Sequence, residues 1–420
     1  MVKMKTMDNG ICVIGEENPY VRSIALGIWI KNGSVDENEN NNGISHFIEH
    51  MMFKGTNKRT ARDIADEMSE VGGRINAFTG KEYMCYYAHT LDNHIDVALD
   101  VLSDMLLNSK ISEEDMEKEK GVIIEEINMY EDSPEEIVHD LIQEKAYSGS
   151  SLSYNILGTK ESVNSFTRED VKEYMEKHYI PDNIVISVVG KYDFDEMFDK
   201  ISSKFSVLKK KDKIDRVKEL GYKKCFVTKD KDIEQVHLCM SFPSVNYLSK
   251  DIYILSILNA ILGGGINSRL FQSIREEKGL AYSIYSYAET YNITGMMNIY
   301  AASNPTQIEE VIKAAMEEIN LLLEKGIDIK ELNKAKEQLK SNLIIGFENM
   351  NSRMSGYGKI KLMLDKIKSQ DEIIEGINAV DLDGFLRFAR ETFNYDKMSI
   401  SLVGRHKDID IERIKQICKI

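Results

Sequence analysis

The stretch Asp182-Asn-Ile-Val-Ile-Ser-Val-Val-Gly-Lys191 returns, conservatively altered, as Asp396-Lys-Met-Ser-Ile-Ser-Leu-Val-Gly-Arg405. Each copy is a short apolar, β-rich run that stops at a glycine. A segment with helical spacing precedes each, Asp170 to Tyr179 in one case and Leu382 to Phe393 in the other. The offset from 182 to 396 is 214 residues, about half of the 420-residue chain. Solenoid repeats have periods of about 20–50 residues, so a spacing this long marks a duplicated domain.

Working outward, the boundary between the copies shows in composition. Lys209-Lys-Lys-Asp-Lys-Ile-Asp-Arg-Val-Lys218 is charged and almost without apolar anchors, as linkers are. The expected organisation is an N-terminal domain 1–208, a charged linker 209–222 and a homologous C-terminal domain 223–420. Within the first half, Ile24-Ala-Leu-Gly-Ile-Trp-Ile30 and the stretch Glu82 to Ala88 read as strands. Helical patterns run through Ala61 to Val71, Ile95 to Leu107 and Ser112 to Tyr130. The fold class expected is α+β: two tandem layers, each an antiparallel sheet with helices on one face.

Composition removes several function classes. With 42% hydrophobic and 29% charged residues the chain is a globular protein. The apolar stretch Ile252 to Leu262 is interrupted by Tyr253, Ser256 and Asn259 and falls short of the roughly 18 residues a membrane span needs. Met1 to Gly10 carry two lysines and an aspartate but no apolar h-region, so no secretory signal is expected, and a cytoplasmic location is. A net charge of −15, from 54 basic and 69 acidic residues, repels phosphate backbones and argues against nucleic acid. Cys12, Cys85, Cys225, Cys239 and Cys418 are scattered without pairing, which reads as reduced thiols in the interior.

The chemistry concentrates in Gly43-Ile-Ser-His-Phe-Ile-Glu-His-Met-Met-Phe-Lys-Gly-Thr56, which contains His46-x-x-Glu49-His50. On a helix, positions i and i+4 share a face, so His46 and His50 can reach one metal ion. Glu49 can approach that ion without ligating it, the layout that turns a metal's water into a nucleophile. A catalytic zinc usually takes three protein ligands. Met116-Glu-Lys-Glu-Lys-Gly-Val-Ile-Ile-Glu-Glu-Ile-Asn128 reads as a helix in which Glu119 and Glu126, two turns apart, share a face. Glu126 is the candidate third ligand and Glu119 a candidate to orient a histidine. Spacing alone does not separate Glu126 from Glu125. His89, His94, His139, His178, His237 and His406 lack ligand spacing and read as structural, and Met51 and Met52 read as packing.

The order His-x-x-Glu-His marks the inverzincins. On these residues the chain resembles the pitrilysin/insulinase family of zinc metallopeptidases, and within it the half-length subunits of the processing-peptidase branch. That branch carries its glutamate ligand 76 residues beyond the second histidine, and the distance from His50 to Glu126 is 76 residues, which selects Glu126 over Glu125. The resemblance implies one zinc per chain, peptide-bond hydrolysis with Glu49 as general base, and Glu119 as an additional active-site glutamate. It further implies that Asn76, Ala77 and Phe78 form a strand edge that binds substrate, as an unpaired edge can by backbone hydrogen bonds. Beyond the glycines of Gly263-Gly-Gly265, Arg275 and Tyr282 resemble the family's arginine/tyrosine pair, suited to a substrate carbonyl and its oxyanion.

No His-x-x-Glu-His occurs in the second half: a shift of 214 carries His46, His50 and Glu126 onto Ala260, Gly264 and Lys340. The resemblance implies that four such domains enclose a clamshell chamber for unfolded or extended peptides. A two-domain chain would then pair with a second copy of itself, each zinc served by the partner's Arg275 and Tyr282. The other class of function within the same fold is a non-catalytic peptide-binding or processing-partner subunit. Such subunits lose part of the metal site, whereas this sequence carries His46, Glu49, His50 and Glu126 together.

Overall fold

The structure, a computed structural model, describes residues 2–211, 216 and 221–419. Residues 212–215 and 217–220 of the expected linker lie outside the described residues. Through the first half run β1 (Val2–Thr6), β2 (Cys12–Glu17), β3 (Ser23–Ile30), α1 (Ile44–Met52), α2 (Ala61–Glu70), β4 (Arg74–Thr79), β5 (Met84–Leu91), α3 (Ile95–Asn108), α4 (Glu113–Glu131), α5 (Pro134–Ala146), α6 (Lys160–Ser165), α7 (Arg168–His178), β6 (Ile184–Gly190) and α8 (Phe194–Phe205). The second half repeats the order with β7 (Phe226–Asp230), β8 (Val236–Ser244), α9 (Ile252–Leu262), a π-helical turn Phe271–Glu277, β9 (Ser283–Thr290), β10 (Gly295–Ser303), α10 (Ile308–Lys325), α11 (Ile329–Gly346), α12 (Met350–Leu364), α13 (Gln370–Asn378), α14 (Leu382–Thr392), β11 (Ser399–Gly404) and α15 (Ile411–Cys418).

Strand order carries the duplication. One sheet runs β1-β2-β6-β3-β5-β4 and the other β7-β11-β8-β10-β9. Without β1, each strand of the first has its counterpart in the second. Both sheets are antiparallel except for one pair, β2 with β6 in the first and β7 with β11 in the second.

The chain forms two compact units, and their membership departs from the two halves of the sequence. Unit 1 holds the chain to Asn128, Tyr154–Arg216 and Ile345–Lys368. Unit 2 holds Met129–Ser153, the stretch ending at Ile344, and the chain from Ser369. The halves therefore exchange one helix: α12 packs on β3 and β6, and α5 packs on β11 and β8. This covers the sheet face opposite the main helical layer, so helices flank each sheet on both sides.

The sequence of β3 shows why. Ile24, Leu26, Ile28 and Ile30 enter the main core of unit 1 with α1 and α3. The alternate residues Ala25, Gly27 and Trp29 face the other way, and Gly27 and Trp29 meet Met354 and Gly358 of α12. A strand buried on both faces loses the polar alternation of a half-exposed one. Among the described residues no helix is long and apolar enough to cross a membrane. All five cysteines are free, four of them buried.

Candidate metal centre

Helix α1 is set by its apolar stripe and its cap. Ile44, Phe47, Ile48, Met51 and Met52 recur at helical spacing and enter the core, which turns His46, Glu49 and His50 to the other side. Gly43 caps the helix at φ +93°, where a Cβ would also strike Gly158 Cα at 2.7 Å. The buried Glu37 carboxylate accepts the N–H of Gly43 at 2.7 Å, the N–H of Ser45 at 2.9 Å and Asn42 Nδ2–H at 3.0 Å. Burial pushes the Glu37 carboxyl up and these donors oppose it. A carboxylate at this position satisfies the free N–H groups of the first turn.

Helix α4 supplies the carboxylates. Met116, Ile123 and Ile127 anchor it in the core, with Glu119 and Glu126 beside them. Glu126 Oε2 lies 3.7 Å from His46 Nε2 and 3.5 Å from His50 Nε2. One ligand atom from each of the three residues falls within 4.8 Å of the others. Donors bound tetrahedrally at about 2.0–2.1 Å sit about 3.3 Å apart, so two nitrogens and a carboxylate oxygen at these separations suit zinc. Burial, and then the neighbouring His50, pushes His46 down to about 3, which keeps its ring neutral as a ligand must be. Glu125 is exposed and stands outside the group.

Two carboxylates flank the ligands. Glu119, 3% exposed, accepts from His50 Nδ1 at 2.8 Å through Oε1 and meets Lys54 Nζ at 2.6 Å through Oε2. Burial would raise its carboxyl, but His50 and Lys54 outweigh it and hold Glu119 below its ordinary value. Glu49 is half-buried, and its Oε2 accepts the Thr79 hydroxyl at 2.5 Å. Burial raises its pKa against the pull of Thr79 and His50.

The remaining sequence candidates are placed as follows. Asn76, Ala77 and Phe78 lie on β4, the edge strand of the first sheet. The Ala77 N–H donates to Asn76 Oδ1 at 2.9 Å. Phe78, 38% exposed, meets Trp29 edge-on with ring centres 5.7 Å apart. Arg275 and Tyr282 are side by side in unit 2, the guanidinium 4.8 Å from the Tyr282 ring centre and 4.7 Å from that of Phe271. Tyr282 is 77% exposed. Unit 1 holds the metal group and unit 2 this pair. Sequence reasoning passed over Glu37, Lys54 and Thr79. Only Lys54, one helical turn past His50, carried a signal in its spacing.

Residues 12–160 match the family described as insulinase (peptidase family M16), and residues 165–339 match the peptidase M16 inactive domain. YmxG of Bacillus subtilis, an uncharacterized zinc protease, is 44% identical over 94% of this chain and 97% of its own. The chain belongs to peptidase family M16. Another relative, an uncharacterized zinc protease of Rickettsia felis, is 37% identical over 92% of this chain and 94% of its own. Among solved structures, a protease from Helicobacter pylori aligns with a TM-score of 0.90 at 21% identity, covering 96% of this chain and 99% of that one. The peptidase M16 inactive domain from Pseudomonas fluorescens also aligns at 0.90, with 18% identity, 96% of this chain and 98% of that one covered. These two likenesses carry the fold. The segment matching the inactive domain, 165–339, contains none of His46, Glu49, His50, Glu119 or Glu126.

Proposed function

We propose that this chain is a zinc-dependent endopeptidase that hydrolyses unfolded or extended peptides, with His46, His50 and Glu126 holding one zinc per chain. The observation that carries the reading is the grouping of His46, His50 and Glu126, one ligand atom from each within 4.8 Å of the others, with the half-buried carboxylate of Glu49 beside His50 on the same helix, its pKa raised by burial. When bound, zinc supplies Lewis acidity toward a peptide carbonyl and a water. Glu49 is the base: burial raises its proton affinity toward the range where it can take a proton from water and return it to the leaving amine. Thr79 holds Oε2 and so fixes the carboxylate with Oε1 as the basic atom. Glu119 orients His50 through Nδ1.

An extended substrate would add to the open side of β4 along Asn76, Ala77 and Phe78. Arg275 and Tyr282 would act on the carbonyl oxygen of a zinc site in a second copy, in a homodimer with shared sites. The free cysteines accord with work in the reducing cytoplasm.

The test uses the purified full chain, its zinc content and cleavage of a quenched unstructured peptide. Glu49→Gln keeps the shape and removes the base, so it is expected to retain zinc and lose at least ~100-fold in activity. Activity within a few-fold of wild type would sink the mechanism.

A further inference from the structure

Lys54 lies in Gly43–Thr56, the stretch that carries the metal motif, yet the reaction just described gives it no part. It follows the end of α1, where its N–H donates to Met51 O at 3.1 Å. Its ammonium reaches Glu119 Oε2 at 2.6 Å, while Glu119 Oε1 takes His50 Nδ1 at 2.8 Å. Each oxygen of a buried carboxylate therefore has one dedicated partner, a cation on one side and a candidate metal ligand on the other. The turn after Lys54 is braced as well. Thr56 Oγ1 donates to Asp104 at 2.6 Å and accepts the Arg59 N–H at 2.9 Å, and Arg59 pairs with Glu67 and Asp104.

We propose that Lys54 is a positioning residue of the metal centre: its ammonium fixes the Glu119 carboxylate so that Glu119 holds the His50 ring with Nε2 turned toward His46 and Glu126. The physical need is specific. A helix backbone places the His50 Cβ, but the ring still rotates, and the partner of the non-ligating nitrogen sets its angle and tautomer. That partner is itself a carboxylate on a side chain with rotatable bonds. Without Lys54, one oxygen of the buried Glu119 carboxylate loses its only charged partner named above, and a buried carboxylate so placed relaxes by turning away. That rotation releases the His50 ring. The positive end of the relay need not touch zinc, water or substrate.

The inference rests on the zinc reading above, and the experiment separates the two. Zinc affinity of the full chain is measured by competition with a chromophoric chelator for wild type, Lys54→Met, Lys54→Arg, Glu119→Gln and the double variant Lys54→Met/Glu119→Gln. The cobalt-substituted forms are compared by absorption spectrum. Outer partners of metal-bound histidines are worth about 10–100-fold in affinity. Lys54→Met is expected to lose about 10-fold with a shifted cobalt spectrum, and Lys54→Arg to restore affinity to within about threefold of wild type. The double variant is expected to bind zinc no more weakly than Glu119→Gln alone, because both act through one carboxylate. Lys54→Gln, which keeps a donor but loses the charge, is expected to show the same loss and replaces Lys54→Met should that variant not fold. Unchanged zinc affinity, additive losses in the double variant, or an effect confined to KM would each overturn the assignment. A wild-type chain that takes up no zinc would overturn the metal centre itself, and this assignment with it.

Discussion

The exchange of helices can be tested with two alanines. Gly358 lies in α12, and a Cβ built there falls on the indole of Trp29, with Cε2 only 2.6 Å away. Trp29 has nowhere to move: it is 1% exposed and its Nε1–H donates to Ser187 Oγ at 2.9 Å. Gly358→Ala must push helix and indole apart by about 1 Å, an overpacking that costs about 1–3 kcal/mol. Replacing a helical glycine by alanine returns about 0.8–1 kcal/mol. The net expectation is a loss of up to about 2 kcal/mol. Gly121 lies inside α4 of the same unit, and a Cβ there meets nothing within 4 Å. Gly121→Ala should therefore stabilise by about 0.5–1 kcal/mol. Trp29 is the chain's sole tryptophan, so its fluorescence during urea unfolding reports on unit 1. The two midpoints should move in opposite directions with the slope unchanged. Equal stability of the two variants would mean that α12 does not pack on β3, and the exchange would be wrong.

Two further outcomes are expected. Burial alone would raise the Asp100 carboxyl, but Lys204 and Arg59 hold it down at about 2. A lowered folded-state pKa contributes stability above the unfolded value near 3.8 that is lost as pH falls through 2, so the stability difference between wild type and Asp100→Asn, about 1–2 kcal/mol at neutral pH, should vanish between about pH 4 and pH 2 in acid unfolding curves. Mixing Glu49→Gln with Tyr282→Phe under subunit exchange should restore activity, up to about half of wild type per mixed dimer, because one zinc site then combines an intact Glu49 with a partner's intact Tyr282. Proven exchange without recovery would remove the shared-site dimer and leave the peptidase reading standing.

Much of this architecture was legible because it is local. The repeat at 182 and 396 became β6 and β11, which occupy the same place in their sheets at the predicted offset. The helical periods at Ile95 and Ser112 became α3 and α4 within one residue at each start. His46, Glu49 and His50 were legible because a helix converts spacing into direction, whereas the choice of Glu126 over Glu125 came from the family resemblance. What escaped depends on tertiary placement. Nothing in the sequence around Thr79 announces that its hydroxyl will meet Glu49, because the contact exists only once β4 passes α1. The helix exchange left one trace, the unbroken apolar run of β3, which a buried strand facing its own helices on one side does not require.

The duplicated fold also bears on why, among the described residues, the candidate metal ligands gather in unit 1. In unit 2, α9 follows β8 as α1 follows β3, and it fills its place with Ile254, Leu255, Ile257, Leu258, Ile261 and Leu262. These side chains bury themselves without partners. That stripe corresponds to the core stripe of α1; on its other side, where α9 has Ala260, unit 1 buries His46, and α4 adds the buried Glu119, polar groups whose burial is tolerable only when each is matched by a ligand, a hydrogen bond or a charge. That matching draws in Glu126, His50 and Lys54 together, so the centre is stable as a set and each member alone would be a defect. Losing any one member favours aliphatic replacement of the rest, since an apolar core of the same shape is often no less stable. Two halves of common origin are therefore expected to hold either the whole constellation or none of it, and unit 2, with Lys340 salt-bridged to Glu337 where the offset places Glu126, holds none.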